Sequence, residues 1–269
     1  MNCKDAAAEL AEASARFSVP LSSDQQAVLA RYCAFILETN DKFNLTAMRS
    51  PWDVCHNLFL DSLLIVRSLA QDVVSLDAGR TIHAVDLGSG SGIPGIPLKI
   101  VLPQWSLVLI ESVGKKARFL SSVAQTLGLD NVRVLQERAE TLGRQREHRD
   151  ASDVLVARAV APLPTLLELS CPLVRTNGTM YFSKGGDVHQ EIADAATAAG
   201  ELACTFERLD HVPTAAGLGE NRYIVVYRKV AQTPMRFPRR AGEARSKPLG
   251  RPKANSGSPA IHAAPAPLG

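Results

Sequence analysis

The chain has 269 residues, 46% of them hydrophobic, which is enough to bury one large core. Its five cysteines are scattered and never form a CxxC pair, so we expect neither a disulfide framework nor a metal site, and a reducing, cytoplasmic setting fits them. We find no signal segment and no uninterrupted apolar run of membrane-spanning length, so we expect a protein that is neither secreted nor membrane-bound.

The net charge of +3 hides a contrast between the body of the chain and its C-terminal tail. Residues 231–269 hold seven basic residues and one acidic residue, which leaves residues 1–230 with a net charge of −3. A mildly acidic body cannot attract a polyanion through its overall field, so nucleic-acid affinity is expected from local patches and from the tail. The tail is rich in Pro, Gly and Ala and poor in large aliphatic residues, which predicts that it is largely disordered.

Residues 1–70 are predicted to form an N-terminal helical extension. Apolar residues recur at helical spacing over 23–43, behind Ser22 or Ser23 as the N-cap, and Pro51 opens a second amphipathic helix. From residue 71 to residue 230, short apolar runs alternate with helix-length segments, which indicates a parallel sheet covered by helices. The predicted strands lie near 82–87, 105–111, 132–136, 153–157, 178–183, 202–211 and 221–229.

The last two predicted strands flank a turn at 217–221 and are expected to form an antiparallel hairpin. Five parallel strands followed by such a hairpin are typical of the seven-stranded sheet of class I (Rossmann-like) methyltransferases, not of the dehydrogenase sheet. The expected fold class is therefore α/β, with the sheet domain at 71–230 between the helical extension at 1–70 and the basic tail at 231–269.

A glycine-rich segment, DLGSGSGIPG at 86–95, lies between the first predicted strand and a helix. Glycines allow the backbone to approach a ligand closely, and the helix N-terminus offers free N–H groups. The segment satisfies GxGxxG, and Glu111 ends the next strand, where a dinucleotide-binding domain keeps its ribose acid. The simpler structural alternative is a tight turn in which Asp86 caps the helix.

The same residues also match a site for S-adenosylmethionine. In such a site an acid before the first glycine helps to orient the ligand, and a carboxylate at the end of the next strand binds the ribose hydroxyls. Asp86 and Glu111 occupy these two positions. A carboxylate just before the first glycine would repel the pyrophosphate of a dinucleotide, so the residues favour S-adenosylmethionine as the cofactor.

Beyond the glycine loop, the chain resembles the GidB (RsmG) family of 16S ribosomal RNA guanine-N7 methyltransferases. The resemblance covers nearly the whole chain up to Gly250, and the extended glycine-proline motif is more specific than GxGxxG. The matching motifs are at 44–47, 56, 61–63, 86–98, 114–116, 119–120, 138–140, 158–161, 184–185, 237–240 and 247–249.

The resemblance implies a set of cofactor contacts at the carboxyl ends of the strands, where ligands of such sheets bind. It implies that Glu111 binds the ribose, that Ala139 and Glu140 lie beside the adenine, and that Arg158 faces the reacting centre. With the loop residues, the predicted cofactor-binding set is Asp86, Gly88, Gly90, Ile93, Glu111, Ala139, Glu140 and Arg158.

Methylation of guanine N7 makes modest chemical demands. The nitrogen has a lone pair and no proton, so the transfer needs positioning and exclusion of water but no general base. Arg commonly binds the N7 and O6 edge of guanine, yet an Arg on N7 would block the attack. We therefore expect Arg158 and Lys184, the candidate catalytic residues, to hold O6 or a phosphate.

Other basic and aromatic residues are weaker candidates. Lys115, Lys116 and Arg118 stand at a predicted helix start, where cations oppose the helix dipole, and phosphate binding or simple solvation would explain them. Phe237 with its neighbouring cations is predicted to stack on a base and grip the RNA backbone. His56 is expected to be a buried structural residue.

The expected partner is 16S ribosomal RNA in the small ribosomal subunit, with no membrane and no metal. Two alternatives stay open at this point. One is a methyltransferase for a small molecule, a protein or another RNA on the same scaffold. The other is a noncatalytic RNA-binding assembly factor that retains a vestigial pocket.

Overall fold

A computed structural model describes residues 1–72 and 81–250 of the chain. Seven strands form a sheet in the order β3-β2-β1-β4-β5-β7-β6. The first five strands are parallel to one another, whereas β7 is antiparallel to β5 and to β6. This confirms the predicted sheet with its C-terminal hairpin. The strands are β1 (His83–Leu87), β2 (Ser106–Ile110), β3 (Val132–Leu135), β4 (Ser152–Arg158), β5 (Val174–Gly185), β6 (Cys204–His211) and β7 (Arg222–Lys229).

The predicted strands agree with the structure except at the start of β5. This strand begins at Val174, four residues before the predicted start at 178. Its pairing with β4 shifts register between Ser152 and Val154, and Asn177 has a positive φ of 65° in this region. The irregularity interrupts the alternation of apolar residues, so the sequence pattern did not show the first part of the strand.

The described N-terminal residues are largely helical, as predicted. Ser22 is the N-cap of the second helix, where its hydroxyl accepts from the N–H of Gln25 at 3.2 Å and the Gln25 side chain accepts from the Ser22 N–H at 2.9 Å. The elements are α1 (Cys3–Ala15), α2 (Ser23–Asn40), α3 (Pro51–Asp53), a π-helical segment (Val54–Leu60) and α4 (Asp61–Leu69).

Helices cover both faces of the sheet. The N-terminal helices share one hydrophobic core with β1, β2 and β4 on one face, and a second core lies on the other face. Within the described residues, no helix is both long and apolar enough to cross a membrane. The remaining helices are α5 (Gly95–Val101), α6 (Gly114–Leu127), α7 (Ala139–Leu142), α8 (Leu163–Ser170), α9 (Val188–Glu201) and α10 (Glu243–Ser246), with 3₁₀ turns at Cys171–Leu173 and Thr214–Ala216.

The first part of the tail packs on the second core, so the predicted disorder is wrong for residues 231–250. Phe237 is 2% exposed, which also rules out the predicted stacking of its ring on an RNA base. The Arg149 guanidinium donates to the carbonyls of Thr233 at 2.6 Å and Phe237 at 2.9 Å. Residues 251–269 lie outside the described residues, and the division at 70 and 230 stays a prediction.

Residues 231–250 are ordered through contacts that their composition could not reveal. Glu168, on α8, is fully buried, and the Arg239 guanidinium donates to both of its carboxylate oxygens at 2.6–3.1 Å. A buried carboxylate needs a paired cation, so the domain itself creates a binding site for the tail.

Candidate active site

The glycine loop connects β1 to α5 at the carboxyl edge of the sheet. Glu111 directly follows β2, and its two carboxylate oxygens accept from the N–H of Gly90 at 2.9 Å and of Val113 at 2.8 Å. Each carboxylate oxygen has two lone pairs, so both retain capacity for a further donor such as a hydroxyl. Glu111 is thereby fixed beside the loop with acceptors to spare.

A cleft of about 390 Å³ lies at this edge, between the ends of the first four strands. Four of the predicted cofactor residues line it together, and Gly90 lies at its border through its bond to Glu111. The lining residues are Leu87, Gly88, Ile110, Glu111, Ser112, Glu137, Arg138, Ala139, Glu140, Val160, Leu169 and Arg245.

Apart from Gly90 at its border, three predicted cofactor contacts, Asp86, Ile93 and Arg158, do not line this cleft. Asp86 is fully buried and accepts from the N–H of Gly95 at 3.0 Å, because successive side chains of a strand point to opposite faces. Asp86 therefore does not line the cleft, and its carboxylate ties β1 to the start of α5. Burial raises the pKa of Asp86 to about 7. Ile93 is 6% exposed and packs in the core beneath the loop.

A second cleft, of about 520 Å³, is lined by neighbouring residues of the segment 158–160. Val160 lines the first cleft, whereas Arg158 and Ala159 line the second. Ala159 has a φ of 53°, a conformation that costs a residue with a Cβ about 1 kcal/mol or more and that is concentrated at functional sites. The segment 158–160 therefore contributes to both clefts, in a conformation that the surrounding structure must enforce.

The two candidate catalytic residues both line the second cleft. The Arg158 Nε lies 3.0 Å from Oδ2 of Asp61, and Nη2 donates to the carbonyl of Asn57 at 2.9 Å. The Lys184 ammonium donates to the carbonyl of Ala161 at 2.9 Å and to the carboxylate of Glu191 at 2.7 Å. Burial lowers the pKa of the Arg158 guanidinium, and the charge of Asp61 opposes this effect.

Sequence reasoning missed two contributions to these clefts. Arg222, at the start of β7, lines the second cleft beside Arg158. The sequence pattern indicates only that this residue belongs to a strand. Arg245 and Gly242 come from the tail: Arg245 donates to the carbonyl of Val160 at 3.3 Å, and the Gly242 N–H donates to Glu140 at 2.9 Å. The sequence feature that could have indicated Arg245 and Gly242 is the family motif around residues 237–249.

The remaining candidates have local partners. The Lys115 ammonium lies 5.0 Å from the centre of the Phe43 ring, and the His56 ring stacks on Trp52 at 4.4 Å. His56 is half-buried, not fully buried as predicted. Among residues 1–72 and 81–250, no group of three or more His, Cys, Asp or Glu side chains could hold a metal ion.

The strand order, the glycine loop after β1 and the carboxylate after β2 define a class I S-adenosylmethionine-dependent methyltransferase. The family model of GidB, described as rRNA small subunit methyltransferase G, matches residues 25–217. The chain belongs to this family.

Several curated relatives named ribosomal RNA small subunit methyltransferase G are similar over most of the chain. The relative from Carboxydothermus hydrogenoformans is 38% identical, over 87% of this chain and 96% of its own length. The relative from Chloroflexus aggregans is 39% identical, over 89% and 97%. The relative from a Roseiflexus species is 40% identical, over 85% and 94%. The similarity therefore spans the helical extension and the sheet domain, not the glycine loop alone.

Proposed function

We propose that this protein transfers a methyl group from S-adenosylmethionine to N7 of a guanine in 16S ribosomal RNA of the small ribosomal subunit. The observation that carries the proposal is a pair of clefts lined by consecutive residues, one by Glu111 and Val160 and the other by Arg158 and Ala159. The first cleft would hold the methyl donor and the second would hold the acceptor.

The residues of the first cleft suit S-adenosylmethionine. Glu111 offers acceptors for the two ribose hydroxyls, and we propose that Ala139 and Glu140, which line the same cleft, lie beside the adenine. A Cβ on Gly88 would lie 2.9 Å from a methyl group of Val160, so only glycine leaves this part of the cleft open. When bound, the cofactor supplies an electrophilic methyl group.

Asp86, Gly90 and Ile93 support the first cleft from outside it. Asp86 holds the N-terminus of α5 through Gly95, Gly90 donates its N–H to Glu111, and Ile93 packs the loop onto the core. We propose that these residues fix the loop in the shape that the donor requires, which replaces the direct contacts that the sequence predicted for Asp86 and Ile93.

In the second cleft, Arg158 and Lys184 are the proposed catalytic residues. Both are fixed by bonds to backbone carbonyls, so they offer cations at defined positions and neither acts as a base. This suits guanine N7, because that atom attacks without losing a proton. Fixed cations beside O6 or a phosphate would orient the base for in-line attack.

The partner is inferred from the family and from the basic tail. The curated relatives are named for the RNA of the small ribosomal subunit, and such a substrate implies action in the cytoplasm. The proposal requires neither a membrane nor a metal ion.

A calorimetric titration tests the cofactor first. We expect the purified protein to bind S-adenosylmethionine and to show no saturable heat with NAD. R158A should then bind the cofactor with unchanged affinity but transfer methyl groups to unmodified small ribosomal subunits at least a hundredfold more slowly. Saturable binding of NAD alone, or normal turnover by R158A, would contradict the proposal.

A further inference from the structure

A single buried carboxylate connects two arginines at the floor of the second cleft. Asp61, on α4, is 1% exposed, and its Oδ2 lies 3.0 Å from Nε of Arg158 and 2.8 Å from Nη2 of Arg222. The hydroxyl of Ser183 donates to the same oxygen at 3.2 Å. The helical extension thus supplies the anchor for cations that come from β4 and β7.

The polar groups of Asp61, Arg158 and Arg222 do not satisfy all of one another's hydrogen-bonding capacity. Nε of Arg222 and Oδ1 of Asp61 are buried without a hydrogen bond. The Nη1 group of neither guanidinium bonds to any residue in the described ranges. One carboxylate against two guanidinium groups leaves this cluster with a charge of +1, and both arginines line the cleft.

The other charged groups that line the second cleft have hydrogen-bond partners of their own. Glu191 accepts from Lys184 at 2.7 Å and from the N–H of Leu163 at 3.0 Å. Asp187 caps α9, and Asp194 accepts from the amide of Gln190 at 2.8 Å. The free donor capacity of the cleft is therefore concentrated on the two arginines.

We propose that Arg158 and Arg222, held side by side by Asp61, bind a phosphodiester group of the RNA next to the acceptor guanosine. The inference rests on the proposed function and names the contact that would seat its substrate. A guanidinium group binds a phosphate through two parallel N–H donors, and a pair of them suits the two free oxygens of a phosphodiester. Arg222 is then a binding residue, and Asp61 is a positioning residue that fixes the directions of both cations.

The Arg222 contact is tested by RNA binding at several salt concentrations. R222A should bind unmodified 16S ribosomal RNA in assembled small subunits about tenfold more weakly, and the slope of log affinity against log salt should become shallower by about one. R222K should keep the slope while losing part of the affinity, since it keeps the charge but not the paired donors. Calorimetry should give an unchanged affinity for S-adenosylmethionine, which also shows that the variants are folded.

R175A is the matched control. Arg175 also pairs with a buried carboxylate, that of Asp153 at 2.5 Å, but at the amino edge of the sheet, away from both clefts. R175A should leave RNA affinity and salt slope unchanged. An unchanged slope in R222A, or an equal change in R175A, would overturn the inference.

The positioning role of Asp61 is tested by separating kcat from RNA affinity. D61N keeps the shape of the side chain and both arginines but loses the charge that directs them. We expect RNA affinity within about threefold of wild type and a kcat reduced at least tenfold, whereas D153N should lose stability with kcat unchanged. A normal kcat in D61N, or an equal loss in D153N, would contradict the role.

The salt-slope measurement needs no catalysis. It therefore tests the phosphate contact even if the wild-type protein transfers no methyl group. The absence of methyl transfer by the wild-type protein would count against the proposed function itself.

Discussion

The hydroxyl of Tyr32, on α2, donates a hydrogen bond to the backbone carbonyl of Ser91 in the glycine loop. The Tyr32 side chain is fully buried and stacks on Phe59, with ring centres 5.0 Å apart. The N-terminal extension therefore supports the loop of the first cleft from beneath, just as Asp61 of the same extension supports the second cleft. The extension therefore holds residues of both clefts in place, although none of its described residues lines either cleft.

Y32F should weaken cofactor binding without unfolding the protein. It removes the donor to a buried carbonyl, which costs about 1–3 kcal/mol of stability, and it leaves the ring stacking on Phe59 intact. We expect the affinity for S-adenosylmethionine to fall several-fold in calorimetry. Y223F is the control, because the Tyr223 ring lies on β7 and packs against His189 and His211. Equal cofactor affinities for Y32F and wild type would show that the loop does not depend on this bond.

G88A should abolish cofactor binding, whereas G128A should not affect it. The two glycines have similar positive φ angles, 70° and 64°, so alanine costs about 1 kcal/mol in backbone strain at each. Only at Gly88 does the added Cβ meet a neighbour, the Val160 side chain at 2.9 Å, while at Gly128 nothing lies within 4 Å. Urea unfolding and calorimetry separate the two effects. If G88A binds S-adenosylmethionine as G128A does, the first cleft is not the donor site.

R239A should be strongly destabilised, by about 3 kcal/mol or more, because it leaves the fully buried carboxylate of Glu168 without its cation. R240A should have little effect, since the Arg240 side chain is exposed and has no partner among the described residues. The double variant R239A/E168Q should recover part of the loss, because no buried charge then remains. Urea unfolding measures all three variants. A stability of R239A equal to that of R240A would mean that the tail is not anchored at Glu168.

Asp86 gives the stability of the protein a defined pH dependence. Burial raises the pKa of its carboxyl to about 7 in the folded state, against 3.8 in the unfolded chain. Between these values the folded state holds a proton that the unfolded chain has released, so this group lowers the free energy of unfolding as the pH rises from about 4 to about 7. The D86N side chain does not titrate. The free energy of unfolding of D86N minus that of wild type should therefore increase by roughly 2–3 kcal/mol from pH 5 to pH 8. A difference independent of pH would show that the Asp86 pKa is not raised.

The features that the sequence predicted best are those set by local periodicity. The alternation of apolar residues and the positions of glycines between them predicted the strands of the sheet. The rule that ligands bind at the carboxyl ends of strands predicted that Gly88, Glu111 and Ala139 lie together, and they line one cleft. We expected Asp86 to orient the ligand because it is the acid before the first glycine, but its carboxylate is buried and accepts from the N–H of Gly95.

The remaining errors concern contacts between residues far apart in the chain. The tail looked disordered because its order comes from Glu168 and Arg149, charges buried in the domain that its own composition cannot show. The pairing of Asp61 with Arg222 depends on the antiparallel placement of β7 beside β5, which puts Arg222 opposite Gly185 at the carboxyl edge. Nothing in the local pattern around either residue indicates that they meet.

The most direct test of the proposed function is to identify the methylated atom. Unmodified small ribosomal subunits are incubated with the protein and S-adenosylmethionine that carries a labelled methyl group, and the RNA is digested and analysed by mass spectrometry. We predict one labelled nucleoside, 7-methylguanosine, from a single position of 16S ribosomal RNA, and no label with G88A. Label on another atom, on protein, or on no product at all would contradict the proposed reaction.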